Sequence, residues 1–410
     1  MRFRRTLIAA MVSFTVLAGT GAAAAGAAVS DEQIAITTPP AGSKAWVHDQ
    51  WLGHDMPNPA KATAAEAADF FGSLSQAQQQ RLVRDYPLVV GNFDGAPLAL
   101  RYQANALAME QELSRQKDRA ANSALAVTDR SAAATRVAML QKLLVPGRQI
   151  LAFDPRGRGL VAEVYGDLAT AQRVSVLVPG SDMDLAHFDR SDPSLTGTAG
   201  AAQALKGAAG VAQSLHAEES RVSPGTSTAV IAWSGYVTPV GLGADAATAR
   251  LAEAAAPRLE SLLAGLNLTS HPVAAPTLLC HSYGSVVCGI AAPHIHSTEG
   301  VTDMVVFGSP GMDVQNAAAL GDGVRVWAAA RNPGDWIGNV PYLEIGGLGH
   351  GADPTSPDFG SHVIASTGAN GHNGYLADGT TSLRNFADIA LGRYADVVCS
   401  NNNGACVSGL

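Results

Sequence analysis

The chain has 410 residues, of which 27 are Lys or Arg and 35 are Asp or Glu, giving a formal net charge of −8 at pH 7. That acidic balance disfavours a nucleic-acid partner, whose phosphates demand clustered Lys and Arg. With 47% hydrophobic and 15% charged residues, the chain can bury a large core, either as one domain with an appendage or as two.

Arg2, Arg4 and Arg5 precede an apolar run from Leu7 to Ala18, broken only by Ser13 and Thr15. Small residues follow to Ala28, with A-x-A-type cleavage positions ending at Ala25, Ala27 or Ala28. This order predicts a secretory signal peptide over residues 1–28 and a secreted, extracellular mature chain. The apolar part is shorter than the roughly 20 residues a bilayer requires, and no later segment is long and apolar enough to span one. Losing those three arginines reduces the 27 basic residues to 24 against 35 acidic ones, a net charge of −11.

Residues 29–147 read as a helical N-terminal region. Phe70, Phe71 and Leu74 recur at helical spacing from Glu66, and the "LSQAQQQRLV" stretch places Leu82 and Val83 behind a Ser/Gln start. Pro87, Gly91, Gly95 and Pro97 mark a turn region. Helices are predicted from Pro97 to about Lys117 and from about Ser131 to Leu144, joined by a flexible Ala/Ser-rich connection over 118–130.

The pattern changes over 148–394. Short apolar strands ("QILAFD", "GLVAEVYG", "RVSVLVPG", "STAVIAW", "PTLLCHS", "VTDMVVFG", "GVRVWAAA", "SHVIAS") alternate with helical patterns such as Leu259, Leu262, Leu263 and Leu266 or Leu383, Phe386 and Ile389. Continuous apolar strands separated by helices predict a mostly parallel sheet flanked by helices on both faces. The first two strands, joined through "PRGRG", are expected to form an antiparallel hairpin at the sheet edge. A C-terminal tail, 395–410, follows.

The stretch "TLLCHSYGSVVCGIAA" carries the chemistry. A buried strand ends at Ser282 and a small-residue helix begins after it, the strand–turn–helix context of a nucleophile elbow. The turn is so sharp that the residues two before and two after the serine nearly touch, so both are ordinarily glycine. Here the second is Gly284, but the first is Cys280. Cys280 as a thiol nucleophile is the weaker rival, because an exported chain would oxidise it. His281 adjoins the serine and points to the opposite face, so it cannot be the base.

In this α/β-hydrolase arrangement the order is nucleophile, acid, base. Asp335 sits in a turn just beyond the "GVRVWAAA" strand, where a carboxylate can orient an imidazole. Its rivals are Asp303, at the wrong end of a strand, and Asp313, after the preceding strand. Of the histidines beyond Asp335, His362 lies in the last strand and His350 in a glycine-rich loop before it. His372, in "GANGHNGYL", falls between the last strand and the last helix and is the expected base. The turn after "VLVPG" assigns the oxyanion-hole N–H groups to Ser181 and Tyr283. His294 and His296 form an H-x-H without further ligand spacing, so no metal site is expected. The four cysteines allow three pairings. Proximity and an oxidising compartment favour Cys280 with Cys288, which the elbow brings within one helical turn, and Cys399 with Cys406.

These landmarks resemble an actinobacterial family of secreted α/β-hydrolases of uncharacterised function, with a helical N-terminal region ahead of the core. "LVRDYPLVVGNFDGAPLALRYQAN" resembles the family's P-x-x-V-G-N-x-D-G-x-P region, and "VLVPGSDMD", "VIAWSGY", "LLCHSYGS", "VVFGSPGM" and "GHNGYL" are similar to its core landmarks. Its elbow is usually G-H-S-Y-G, so Cys280 is the departure. "VVFGSPGMD…RNPGDWIGNVP" is also similar to the lipase class whose acid follows an N-x-x-D-x-V-P pattern, which implies Asp335 as that acid. The expectation is therefore a secreted serine hydrolase with a Ser282–His372–Asp335 triad, acting on a small-molecule or lipid ester. It needs no cofactor and no nucleic-acid partner. A peptidase or amidase, an acyltransferase with the same triad, and a non-catalytic envelope protein of this fold remain the alternatives.

Overall fold

The computed structural model describes residues 32–190, 207–270, 272–295, 300–401 and 405–409, so the expected signal peptide and His296 lie outside the described residues. The helices ahead of the sheet are α1 (Ser43–His48), α2 (Ala64–Ser73), α3 (Gln76–Asp85), α4 (Pro87–Gly91), α5 (Leu98–Ala121) and α6 (Val127–Leu143). Capping boxes start two of them: Thr63 with Glu66 opens α2, and Ser75 with Gln78 opens α3. Their apolar faces enclose a core of their own, in which Trp46 is fully buried between Phe70, Phe71, Tyr86 and Phe93.

Two local expectations need correction. The Ala/Ser-rich connection is not a long flexible linker, because α5 continues to Ala121 and α6 already starts at Val127. Alanine-rich sequence of this kind favours helix, and the break is set by Asn122, whose side chain accepts the Ala124 N–H at 3.0 Å and turns the chain. Within the expected turn region, Pro87 opens the short helix α4, as proline does at a first helical position.

The strands are β1 (Gln149–Asp154), β2 (Leu160–Gly166), β3 (Arg173–Val178), β4 (Thr228–Ser234), β5 (Thr277–His281), β6 (Asp303–Phe307), β7 (Gly311–Val314), β8 (Arg325–Ala329), β9 (Glu344–Ile345), β10 (Leu348–Gly351) and β11 (His362–Ile364). The remaining helices are α7 (Ala208–Val222), α8 (Arg250–Thr269), α9 (Gly284–Ala291) and α10 (Thr381–Ala390). The main sheet runs β1-β2-β4-β3-β5-β6-β8-β11, while β7, β10 and β9 form a small second sheet. The β1–β2 and β2–β4 pairs are antiparallel, and every pair from β4–β3 to β8–β11 is parallel.

Strand side chains alternate between two cores, as the period of two requires. Leu278, Cys280, Met304 and Val306 face α8 and α9, whereas Leu279, Val305, Phe307 and Trp327 face α7 and α10. The helical region seals the β1 edge. Asn92 behaves like a strand residue there: its side chain donates to the Phe153 carbonyl at 2.7 Å and accepts the Phe153 N–H at 3.2 Å. Asn105 donates to the Ile150 carbonyl at 3.0 Å. The buried Arg101 pairs with the half-buried Asp94 at 2.8 Å. Gly265 of α8 packs against the Asp94–Gly95 turn so closely that a Cβ there would lie 2.9 Å from the Gly95 nitrogen.

One buried carboxyl in this frame has a testable consequence. Glu219 of α7 sits in the interior and accepts the Ser175 hydroxyl of β3 at 2.6 Å. Burial pushes it up from its ordinary 4.5 to about 7. Because the folded value is the raised one, this group's stability contribution is fully present below about 4.5 and is lost as pH rises through about 7. The loss is on the order of 3 kcal/mol. Glu219→Gln is therefore expected to melt above wild type at pH about 8, with the advantage shrinking toward pH about 5. Equal shifts at both pH values in thermal unfolding would contradict this.

Candidate active site

The C-terminal ends of β3, β5, β6 and β8 meet at one rim of the sheet, and the expected residues converge there. Ser282 opens the two-residue turn, Ser282–Tyr283, between β5 and α9, with φ +53° and an N–H that donates to the Phe307 carbonyl at 3.0 Å. A non-glycine residue in the left-handed region costs on the order of 1–3 kcal/mol, and here the surrounding contacts impose it. Gly284 is required for close approach, because a Cβ there would stand 2.3 Å from the Val178 carbonyl of β3. Position 280 tolerates its cysteine: Cys280 is bonded to Cys288 across 6.5 Å between Cα atoms, tying the strand end to the first turns of α9. Cys399 is bonded to Cys406 in the tail.

His372 lies between β11 and α10, and its Nε2 is 2.9 Å from Ser282 Oγ. Its Nδ1 is 2.8 Å from Asp335 Oδ1. Asp335 accepts further hydrogen bonds from the Ile337 N–H at 2.9 Å and the Tyr375 hydroxyl at 2.7 Å. Burial works to raise this carboxyl, but the bonds from His372, Ile337 and Tyr375 outweigh it and hold Asp335 below its ordinary range. It therefore remains ionised through mild acid. An ionised Asp335 fixes the proton of His372 on Nδ1 and leaves the Nε2 lone pair to accept the serine hydroxyl.

Gly180, Ser181 and Asp182 form the turn after β3. A Cβ on Gly180 would lie 2.5 Å from Ser282 Cβ and 3.0 Å from its Oγ. Asp182 has φ +60° and is clamped to the loop after β4: its N–H donates to the Pro239 carbonyl at 2.8 Å, and its carboxylate accepts the Gly241 N–H at 3.0 Å. Among the described residues, neither the Ser181 N–H nor the Tyr283 N–H is taken by a protein acceptor. The Tyr283 side chain is anchored away from the rim, its hydroxyl donating to the Thr248 carbonyl at 2.7 Å. Beside them opens a cavity of about 390 Å³, lined in part by Gly180, Ser181, Met183, Ser282, Trp336 and His372. Gly180→Ala is expected to cost the fold about 1–3 kcal/mol and to lower turnover of the folded protein by roughly a hundredfold, because the methyl would displace the serine from its partner. Turnover within about twofold of wild type in steady-state assays would contradict that placement.

The rival residues lie elsewhere. Asp303 is consumed by Arg325 at 2.8 Å and by Trp327 Nε1 at 2.9 Å. Asp313 projects from β7, in the small sheet. His350 bonds the Ala246 carbonyl at 2.8 Å, and His362 bonds the Cys406 carbonyl at 2.6 Å. His294 pairs loosely with Glu260 at 3.7 Å, and the described residues contain no group of three or more potential metal ligands.

Three neighbours of the site escape the sequence reading. Tyr375 is a second partner of Asp335. Trp336 lays its ring 4.3 Å from the His372 ring, centroid to centroid. His281, though unable to act as base, donates Nε2–H to the His372 carbonyl at 2.9 Å and stacks on Phe307. Burial, reinforced by the adjacent His372, lowers His281 to about 3, so it is neutral and acts as a fixed donor. Only Tyr375 had a usable signal, its spacing of three residues from His372.

A family model described as "Alpha/beta hydrolase" matches residues 154–345, a span that includes Ser282 and Asp335 but ends before His372. The fold is that of the α/β-hydrolases. An uncharacterized protein of Mycobacterium tuberculosis strain H37Rv is 28% identical over 400 residues, covering 84% of this chain. The chain in turn spans only 58% of that relative's length. A second uncharacterized protein of the same strain is 30% identical over 187 residues, 43% of this chain and 62% of the relative. Among solved structures, an esterase named PE8 is similar with a TM-score of 0.34 and 14% identity, over 57% of this chain and 98% of that one. A 2,6-dihydroxy-pseudo-oxynicotine hydrolase is similar with a TM-score of 0.33 and 11% identity, over 86% of this chain and 92% of that one.

Proposed function

We propose that this chain is a secreted serine hydrolase that cleaves carboxylic esters through an acyl-enzyme. The observation that carries the reading is the unbroken hydrogen-bonded line from Asp335 through His372 to Ser282, ending at an open cavity. Ser282 Oγ attacks the acyl carbonyl while His372 Nε2 takes its proton, and Asp335 stabilises the imidazolium that results. The carbonyl oxygen, now negative, is held by the N–H groups of Ser181 and Tyr283. Donors of this kind are worth about 10²–10³ in kcat each in related chemistry. His372 then returns the proton to the leaving alcohol. Water, activated by the same histidine, attacks the acyl-serine and regenerates the enzyme.

Secretion fits the two disulfides, which persist in oxidising compartments. No helix among the described residues is long and apolar enough to cross a membrane. An ester is favoured over an amide because its oxygen can leave as an alkoxide, whereas an amide nitrogen must first be protonated. Turnover of a matched ester and amide tests it directly. The ester is expected to react far faster, and a preference for the amide would replace esterase by amidase.

A further inference from the structure

Besides His372 and His281, a third histidine lines the same cavity, and it is held in one orientation although its side chain is partly exposed. His187 follows the oxyanion turn, and its Nδ1 lies 2.7 Å from Asp184 Oδ1. Asp184 is itself buried. Its Oδ1 also accepts the Ala186 N–H at 2.9 Å and the His187 N–H at 3.1 Å, while Oδ2 pairs with Arg158 at 2.5 Å. Both Asp184 oxygens act as acceptors here, so the ring presents an N–H at Nδ1. Among the described residues Nε2 has no protein partner, and the side chain retains 38% of its exposure. An ordinary surface histidine has no such support. The arrangement repeats the carboxylate–imidazole geometry of Asp335 and His372 in a different wall of the cavity, with no nucleophile bonded to Nε2 among the described residues.

Resting on the hydrolase reading above, we propose that His187, held by Asp184, recognises an acidic group, a carboxylate or a phosphate, on the ester substrate. Two features favour an anion over an alkyl chain or a neutral hydroxyl. An anionic oxygen at Nε2 lets the ring bridge two acidic groups, with one N–H to Asp184 and the other to the substrate, whereas a methylene leaves Nε2 with nothing to bond. Arg190, itself engaged within the protein, lines the same cavity and adds a second positive charge. The carboxylate that could oppose this, Asp182, also lines the cavity, but both of its oxygens are met by the Gly241 N–H. Met183 and Trp336, also in the lining, accept the apolar part of the same substrate.

The test uses two series of esters matched in length. On the acyl side, p-nitrophenyl esters carry pentanoyl, glutaryl or phosphonobutanoyl groups. On the alcohol side, butyrates carry propyl, carboxyethyl or phosphonoethyl groups. Wild-type enzyme is expected to favour a charged member over its neutral match by roughly tenfold or more in kcat/KM, in the series whose charge reaches His187. His187→Ala should bring that ratio to about one while leaving the neutral ester within about twofold, since the side chain takes no part in the chemistry. Whether carboxylate or phosphonate gains more identifies the anion. The absence of any charge preference in wild type overturns the inference, as does an equal fall for neutral and charged esters in His187→Ala. Ser282→Ala separates the two readings. If it abolishes neutral-ester hydrolysis while wild type shows no charge preference, only this inference fails. If neutral-ester hydrolysis persists in Ser282→Ala, the hydrolase reading fails and this inference with it.

Discussion

Ser282→Ala is expected to lower ester turnover by about five to six orders of magnitude, with the fold unchanged, and His372→Ala by a comparable factor. Both removals break the same step. Without the serine there is no acyl-enzyme, and without His372 Nε2 at 2.9 Å the hydroxyl keeps its proton. Because the two groups act as one unit, the double variant should be little worse than either single one. Additive losses in the double variant would mean the residues act independently. The histidine assignment has its own control. His350 and His362 are held by backbone carbonyls away from the rim, so alanine at either should leave most activity in place. Activity retained in His372→Ala but lost in His350→Ala would show that the wrong base has been identified.

The second large effect concerns the acid. Asp335→Asn preserves size, yet turnover is expected to fall by about 10⁴. The amide would present its N–H₂ or its oxygen to His372 without charge. Where the N–H₂ faces the ring, it forces the proton to Nε2, the tautomer that cannot accept from Ser282. The Ile337 N–H and His372 share Oδ1, while the Tyr375 hydroxyl bonds Oδ2, so that orientation also takes the acceptor from Ile337, and the opposite one leaves the imidazolium facing an uncharged oxygen. Substrate affinity should change little, since Asp335 lies behind the base and not in the cavity wall. A fall mainly in KM, with kcat preserved, would contradict this role. The loss should also be far larger than that from Asp303→Asn, whose carboxylate is committed to Arg325 and Trp327.

How much of this was legible in the chain follows from the range of each interaction. The β5–Ser282–α9 unit reads directly, because a buried strand, a forced turn and a small-residue helix are contiguous and each leaves a local mark in residues 277–291. Asp335 and His372 read through chain order and strand ends, a rule that places a loop but not a side chain. The alternating apolar strands announced a covered, mostly parallel sheet. They did not reveal that β4 lies between β2 and β3, since strand order is decided by long-range packing. The small β7–β10–β9 sheet escaped because "GMDV", "EI" and "LGHG" are short and glycine-rich, with no periodicity to detect. Asn92 and Asn105 looked like turn and helix residues; their work is on the β1 edge, 61 and 45 residues away in sequence. His187 and Asp184 are close in sequence, but nothing local places them in the wall of the Ser282 cavity.

The central claim is that Ser282 is an activated nucleophile, and active-site labelling tests it most directly. A fluorophosphonate probe incubated with the folded protein should add one adduct, which proteolysis and mass spectrometry should locate on the peptide containing Ser282. Ser282→Ala should remain unlabelled, and His372→Ala should label far more slowly, because the probe reports the activated hydroxyl and not mere exposure. Failure of the wild-type protein to label, or labelling that persists undiminished in Ser282→Ala, would contradict the account.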